Sequence, residues 1–283
     1  MSVYSEVLRS IERLSKRCEI KIIGKSVLGR EIYAVNFGKE PKTMFFGSIH
    51  AREHITARLL CALAESYNGD DVAVVPLLNV DGVRLCDEGI LTAPKSVRKY
   101  LTQINGGSED FSLWKANINA VDLNVNFDAD WGKGKSNRFK PSPESYIGPY
   151  PFSEPESRAI RDFALDKDFV ACYHCKGEVI YYGWRGEEGL EQARILKDKL
   201  GYPIERSIGS AGGFKDWFLE NGLGISYTIE VASDSLNHPI KKWVLPALIK
   251  RHEGIFELCV RLKNDGYGIH ESCANSCKRG GGA

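Results

Sequence analysis

Long apolar runs are missing from this chain: none of its 283 residues lies in a stretch approaching the roughly 18 apolar residues of a membrane span. Charge of one sign is missing too. Lysine and arginine number 38 against 37 aspartates and glutamates, a formal net charge of +1, and the cations are spread along the sequence. That distribution argues against nucleic acid or a membrane surface as partner. The opening residues Met1-Ser2-Val3-Tyr4-Ser5-Glu6 lack the apolar core of a signal peptide and lead into an amphipathic helix carrying Glu6, Glu12 and Arg13. A cytoplasmic protein is therefore expected, with its eight cysteines as reduced thiols. Cys172-Tyr173-His174-Cys175 contains a C-x-x-C, but no second pair follows at zinc-finger spacing, so a redox or structural-zinc role is not expected. His270, Cys273 and Cys277 crowd the tail, where a poorly ordered end from about residue 267 is expected rather than a metal site. What remains, 43% apolar and 27% charged residues, suits one α/β domain over residues 1–283.

Strand and helix signals alternate, the pattern of an α/β sheet covered on both faces. After the first helix, Glu19 to Ile23 and Glu31 to Phe37 read as a hairpin. A strand follows up to His50, then a helix from Ile55 to Tyr67 and a strand from Val72 to Leu78. Asp81 to Pro151 reads as mostly irregular and rich in Gly, Asn, Ser and Pro, the kind of stretch that builds a site. Ser153-Glu154-Pro155-Glu156 has the spacing of a capping box opening a helix to about Leu165. Strands are expected from Asp168 to Tyr173 and from Ile225 to Val231, and helices over Glu187 to Leu200, Phe214 to Glu220 and Ile240 to Lys263.

The segment Phe45-Phe46-Gly47-Ser48-Ile49-His50-Ala51-Arg52-Glu53-His54 holds imidazoles and a carboxylate, the donors that zinc takes. Its spacing reads in more than one way. On one continuous helix, His50, Glu53 and His54 would form the inverted zincin arrangement, with Glu53 as base. Thr43 to Ile49 instead reads as a buried strand, with His50 at its end and Glu53 in the first turn of a helix. A buried histidine hydrogen-bonded near a helix start is the third possibility. His50, His174 and Glu230 all fall at or near strand ends, and in open α/β sheets such ends converge on the ligand site.

Taken together, the motifs resemble the zinc carboxypeptidase family of metallopeptidases over about Gly47 to Val231. His50-Ala51-Arg52-Glu53 is similar to the family's metal motif and Cys172-Tyr173-His174 to its third ligand. Asn119 to Phe127 is similar to its substrate loop, Gly148 to Glu156 to its entry into a helix, and Ile225 to Glu230 to the strand bearing the catalytic glutamate. His50 and His174 stand 124 positions apart and Glu230 a further 56, in the family's order. The resemblance implies a mixed central sheet with helices on both faces, the αβα sandwich of zinc carboxypeptidases. It further implies one zinc ion on His50, Glu53 and His174, and Glu230 as general base. It favours the strand-end reading of His50 and leaves His54 as a surface or outer histidine.

Departures from the family pattern bear on the substrate. Exopeptidases of the family carry an arginine after the loop asparagine to grip the free C-terminal carboxylate; here Asn124 is followed by Val125. The arginine that usually follows the upstream tryptophan is Lys115, still a positive charge for the scissile carbonyl. Counting back 15 positions from Glu230 reaches Lys215, at the site that in the family forms the floor of the side-chain pocket. These features look like the branch that cleaves γ-D-glutamyl–diamino acid bonds in bacterial cell-wall peptides. Lys215 would then meet the side-chain carboxylate of meso-diaminopimelate, with Glu178 or Asp216 on its ammonium; a solvated helix residue is the plain alternative for Lys215. Arg138, in a loop, is a candidate replacement for the missing clamp, and Arg52 either contacts substrate or forms a structural ion pair. The expected partner is thus a small muropeptide, handled inside the cell. The competing expectations are an ordinary metallocarboxypeptidase and a non-catalytic zinc-dependent peptide-binding protein.

Overall fold

Residues 1–264 are described by the computed structural model. The tail residues His270, Cys273 and Cys277 lie outside them. Helix α1 (Val3–Leu14) is capped by Ser2, whose side chain accepts from the Ser5 amide. It leads into β1 (Glu19–Lys25) and β2 (Glu31–Phe37), then β3 (Thr43–Gly47), α2 (Ile55–Ser66), β4 (Val72–Val75), α3 (Val80–Glu88) and α4 (Lys95–Ile104). After a long irregular stretch come α5 (Pro155–Ala164), β5 (Phe169–Cys175), β6 (Val179–Tyr182), α6 (Leu190–Leu200), β7 (Ile204–Arg206), α7 (Phe214–Glu220), β8 (Ile225–Val231), α8 (Leu245–His252) and α9 (Ile255–Asn264). No helix of the described residues is long and apolar enough to cross a membrane.

The strands form one mixed sheet in the order β1-β2-β4-β3-β5-β8-β6-β7. Its centre, β4-β3-β5-β8, is parallel, and β3, β4 and β5 are buried along their whole length, which only apolar runs covered on both faces tolerate. Phe45 and Phe46 show the two layers, because successive strand residues point to opposite faces. Phe45 packs on Phe256 of α9 with ring centroids 4.3 Å apart and the planes tilted by 36°; Phe46 meets Phe214 of α7 edge-on at 4.6 Å. The sheet is therefore covered on both sides, as the element order implied. The carboxyl ends of β3, β5 and β8 open in one direction.

Several boundaries differ from expectation for local reasons. β3 stops at Gly47, and His50 lies three residues beyond, after a turn through Ser48 at φ 53°. Gly47 is required there: a Cβ would come within 2.9 Å of Thr56 Oγ1 and 3.0 Å of Leu60 Cδ1 on α2. No capping box forms at Ser153, because Glu154 is the cap residue and makes no side-chain cap. The Glu156 carboxylate instead accepts from the Val27 amide at 3.1 Å and from Asn117 Nδ2 at 3.3 Å. The expected closing helix is two helices, broken where Glu253 turns extended and Gly254 adopts φ 73°. The stretch read as irregular contains α3 and α4, and the short strands β6 and β7 carried too few residues to be read from pattern.

Candidate active site

The turn after β3 folds into a short 3-10 helix, Ala51–Glu53, that swings Glu53 back beside His50. Thr56 latches this turn: its hydroxyl donates to the Glu53 carbonyl and accepts from the Ser48 amide, both at 2.8 Å. His50 Nδ1 lies 2.8 Å from Glu53 Oε1 and 3.2 Å from His174 Nδ1, which is 3.2 Å from Glu53 Oε2. All three side chains are buried, and one donor atom from each lies within 4.8 Å of the others. Donors held about 2.0–2.1 Å from a tetrahedral zinc lie about 3.3 Å apart, close to the edges observed here. Two imidazoles and one carboxylate are also zinc's preferred donor set for a site with an open position.

The outward ring atoms are taken up as a metal site requires. His50 Nε2 faces Asp122 Oδ1 at 3.2 Å, an ion-pair contact rather than an aligned hydrogen bond. His174 Nε2 lies 3.0 Å from Cys172 Sγ. Partners on the far nitrogen orient each ring so that Nδ1 faces inward. The Cys175 amide donates to Glu53 Oε2 at 3.1 Å. Burial works against the Glu53 charge, yet the His50 and His174 rings hold its carboxyl well below the usual range. Asp122 behaves alike: burial opposes its charge, and Lys115 and His50 outweigh it.

Strand register delivers the next group. His174 of β5 is the direct partner of Glu230 on β8. Glu230 Oε2 is buried without a hydrogen-bond partner among the described residues. Burial chiefly pushes this carboxyl up to about 8; the His174 ring pulls the other way and the Glu53 carboxylate adds to the rise. Lys115 reaches the same centre from a loop stitched to the metal turn, since the Ala51 amide donates to the Lys115 carbonyl at 2.9 Å. Its ammonium lies 3.0 Å from Asp122 Oδ2, giving a chain Lys115–Asp122–His50. Asp122 was not anticipated as a site residue; its signal was an aspartate two positions before Asn124, which spacing alone cannot distinguish from a turn residue.

A cavity of about 510 Å³ opens beside Glu230, lined by Asn124, Tyr181, Glu205, Lys215 and Asp216 among others. Lys215 is only 4% exposed, not a solvated helix residue. Its ammonium donates to the Gly183 carbonyl at 2.6 Å and is paired with Asp216. Asn124 Oδ1 accepts from the Phe214 amide at 3.3 Å, and Val125 follows it without lining the cavity. Other expected residues sit elsewhere. Glu178, at φ 52° just before β6, pairs with Arg251 at 2.9 Å and does not line the cavity. Arg138 donates to Ser142 Oγ at 2.7 Å and lines a different cavity with Phe139, Lys140 and Pro141. Arg52 pairs with Glu144 at 3.3 Å and donates to the Leu113 carbonyl at 3.2 Å. His54 is buried rather than at the surface, its pKa pushed down to about 4 by burial and then by Arg58. Cys172 and Cys175, three apart on β5, point to opposite faces and remain free thiols.

Comparison with known proteins gives a consistent picture. A family model described as zinc carboxypeptidase matches residues 4–247. The chain is 31% identical over 247 residues to gamma-D-glutamyl-L-diamino acid endopeptidase 1 of Lysinibacillus sphaericus, covering 78% of this chain and 62% of that protein's length. Among solved structures, bovine thrombin-activatable fibrinolysis inhibitor, in complex with tick carboxypeptidase inhibitor, superposes with a TM-score of 0.75 at 20% identity, over 94% of this chain and 98% of that one. Murein-tripeptide amidase MpaA from Escherichia coli O157 gives 0.58 at 19% identity, over 86% and 91%. At such identities the two structures speak to fold alone.

Proposed function

The chain belongs to the zinc carboxypeptidase family, and from that premise we propose that it hydrolyses the γ-D-glutamyl–meso-diaminopimelate amide bond in cell-wall-derived peptides. Bound at His50, Glu53 and His174, a zinc ion supplies Lewis acidity that acidifies water and polarises a carbonyl. The chain's own residues do the rest. Glu230, buried and with Oε2 free, takes a proton from the attacking water as the C–O bond forms, then returns it to the nitrogen as the C–N bond breaks. Asp122 fixes Lys115 at one donor, leaving the other N–H groups of its ammonium for the scissile carbonyl oxygen.

The observation that carries the substrate reading is Lys215, an ammonium buried in the wall of the cavity beside Glu230 that spends two of its three donors on Asp216 and the Gly183 carbonyl and keeps one for a ligand. It favours a leaving residue whose side chain brings a carboxylate to that depth. Val125, in place of a clamp arginine, weighs against capture of a backbone C-terminus. The zinc-loaded protein is expected to cleave L-Ala-γ-D-Glu-meso-diaminopimelate and to leave ordinary peptides with free aliphatic, aromatic or basic C-termini intact. Release of residues only from the ordinary peptides would sink this reading in favour of a metallocarboxypeptidase. In the same assay Glu230→Gln should lose turnover while keeping its zinc, which separates an enzyme from a zinc-dependent binding protein.

A further inference from the structure

Strand register fixes a row of side chains in front of Glu230. Glu230 and Thr228 are two apart on β8 and share a face. Thr228 pairs with Tyr181 of β6, and Tyr181 with Glu205 of the edge strand β7. The row Thr228–Tyr181–Glu205 therefore runs across the face that bears Glu230, and all three residues line the cavity with Lys215.

Glu205 differs from the other charges there. Lys215 and Asp216 are buried and paired with each other. Glu205 is exposed to the cavity and has no ion-pair partner among the described residues. Its neighbour Arg206 also lines the cavity but makes no ion pair with it, since successive strand residues start out toward opposite faces. The Tyr181 phenol feels the same arrangement: burial first, then the Glu205 and Glu230 carboxylates, push its pKa up. The cavity thus has the Lys215–Asp216 pair in its wall and, at the sheet edge beside Arg206, the Glu205 carboxylate without an ion-pair partner among the described residues.

We propose that Glu205 is a specificity-determining residue that takes an ammonium at the far end of the side chain on the leaving-amine side of the cleaved bond. This rests on the hydrolase reading above and defines the chemistry of that side chain: long, unbranched, ending in an ammonium beside a carboxylate. Reach supports it. Two strand spacings across and two residues along put the Glu205 and Glu230 Cα atoms about 12 Å apart. A diaminopimelate side chain spans roughly 7 Å from amide nitrogen to terminal nitrogen at ordinary bond lengths, and a glutamate side chain closes the remainder. Alanine or serine stops short, and leucine or phenylalanine brings no charge to an open carboxylate.

The test uses two peptides, L-Ala-γ-D-Glu-meso-diaminopimelate and the same peptide ending in L-2-aminopimelate, which keeps the side-chain carboxylate and lacks the ammonium. The zinc-loaded wild type should prefer the first by about ten-fold or more in kcat/KM, and Glu205→Gln should bring that ratio close to one. The ratio is internal to each preparation, so partial loss of folded protein cancels. A ratio unchanged in Glu205→Gln, or no preference in a wild type that cleaves both, overturns the role of Glu205 and leaves the hydrolase reading standing. A wild type that cleaves neither peptide overturns both.

Discussion

Asp122 is fully buried between two groups that both draw on its negative charge. One oxygen faces Nε2 of His50, a proposed metal ligand; the other holds the Lys115 ammonium. Each contact alone is ordinary, but a single carboxylate serving both couples the metal to the cation expected at the substrate carbonyl. Removing its charge leaves Lys115 without a buried counter-ion and His50 free to turn. Asp122→Asn is expected to weaken zinc binding about 10- to 100-fold, measured by competition with a chromophoric chelator. Zinc affinity equal to wild type would mean that Asp122 serves Lys115 alone. Cys172 stands in the corresponding place behind His174, with sulfur as the partner atom.

At the scale of elements, the site depends on how closely α2 approaches the end of β3. Gly47 allows that approach, and Thr56 of α2 pins the turn that carries His50 and Glu53. A methyl group at position 47 would meet Thr56 and Leu60 at once and push α2 outward. Gly47→Ala should therefore destabilise the protein by about 1–3 kcal/mol, read as a lower midpoint in urea with unchanged slope. Zinc affinity should fall with it, because the same displacement opens the latch. An unaltered midpoint would show that α2 has room to spare. The parallel strands β3 and β5 were legible because fully buried strands are written as contiguous apolar runs. β6 and β7, of four and three residues, were not, and the cavity wall depends on them.

Across the whole molecule, Glu156 ties three segments that lie far apart in sequence. From the first turn of α5 it accepts from Val27 in the β1–β2 turn and from Asn117 in the loop below Lys115. Burial pushes its carboxyl up to about 8, although its backbone hydrogen bonds pull the other way. The unfolded chain holds its proton only below about 4.5. Because the folded value is the higher one, the stabilisation from this proton is complete below about 4.5 and is lost as pH rises through about 8. The difference in unfolding free energy between wild type and Glu156→Gln, taken from urea titrations from pH 5 to 9, should therefore shift steadily in favour of the glutamine variant. A difference independent of pH would mean that Glu156 is ionised throughout.

Sequence alone determined what short-range chemistry writes into neighbouring residues. His50 and Glu53 sit three apart on a turn, His174 and Glu230 belong to apolar strands, and alternating elements specify a sheet with helices on both faces. Only the tertiary structure decided how distant charges are paired, because ion pairing depends on which side chains meet across elements rather than on spacing. It gave Glu178 to Arg251 and Arg138 to Ser142, away from the cavity, and drew Asp122 in behind His50. It buried Lys215 beside Asp216, and through the register of β8, β6 and β7 it brought Glu205, 25 positions before Glu230 in sequence, onto the same face.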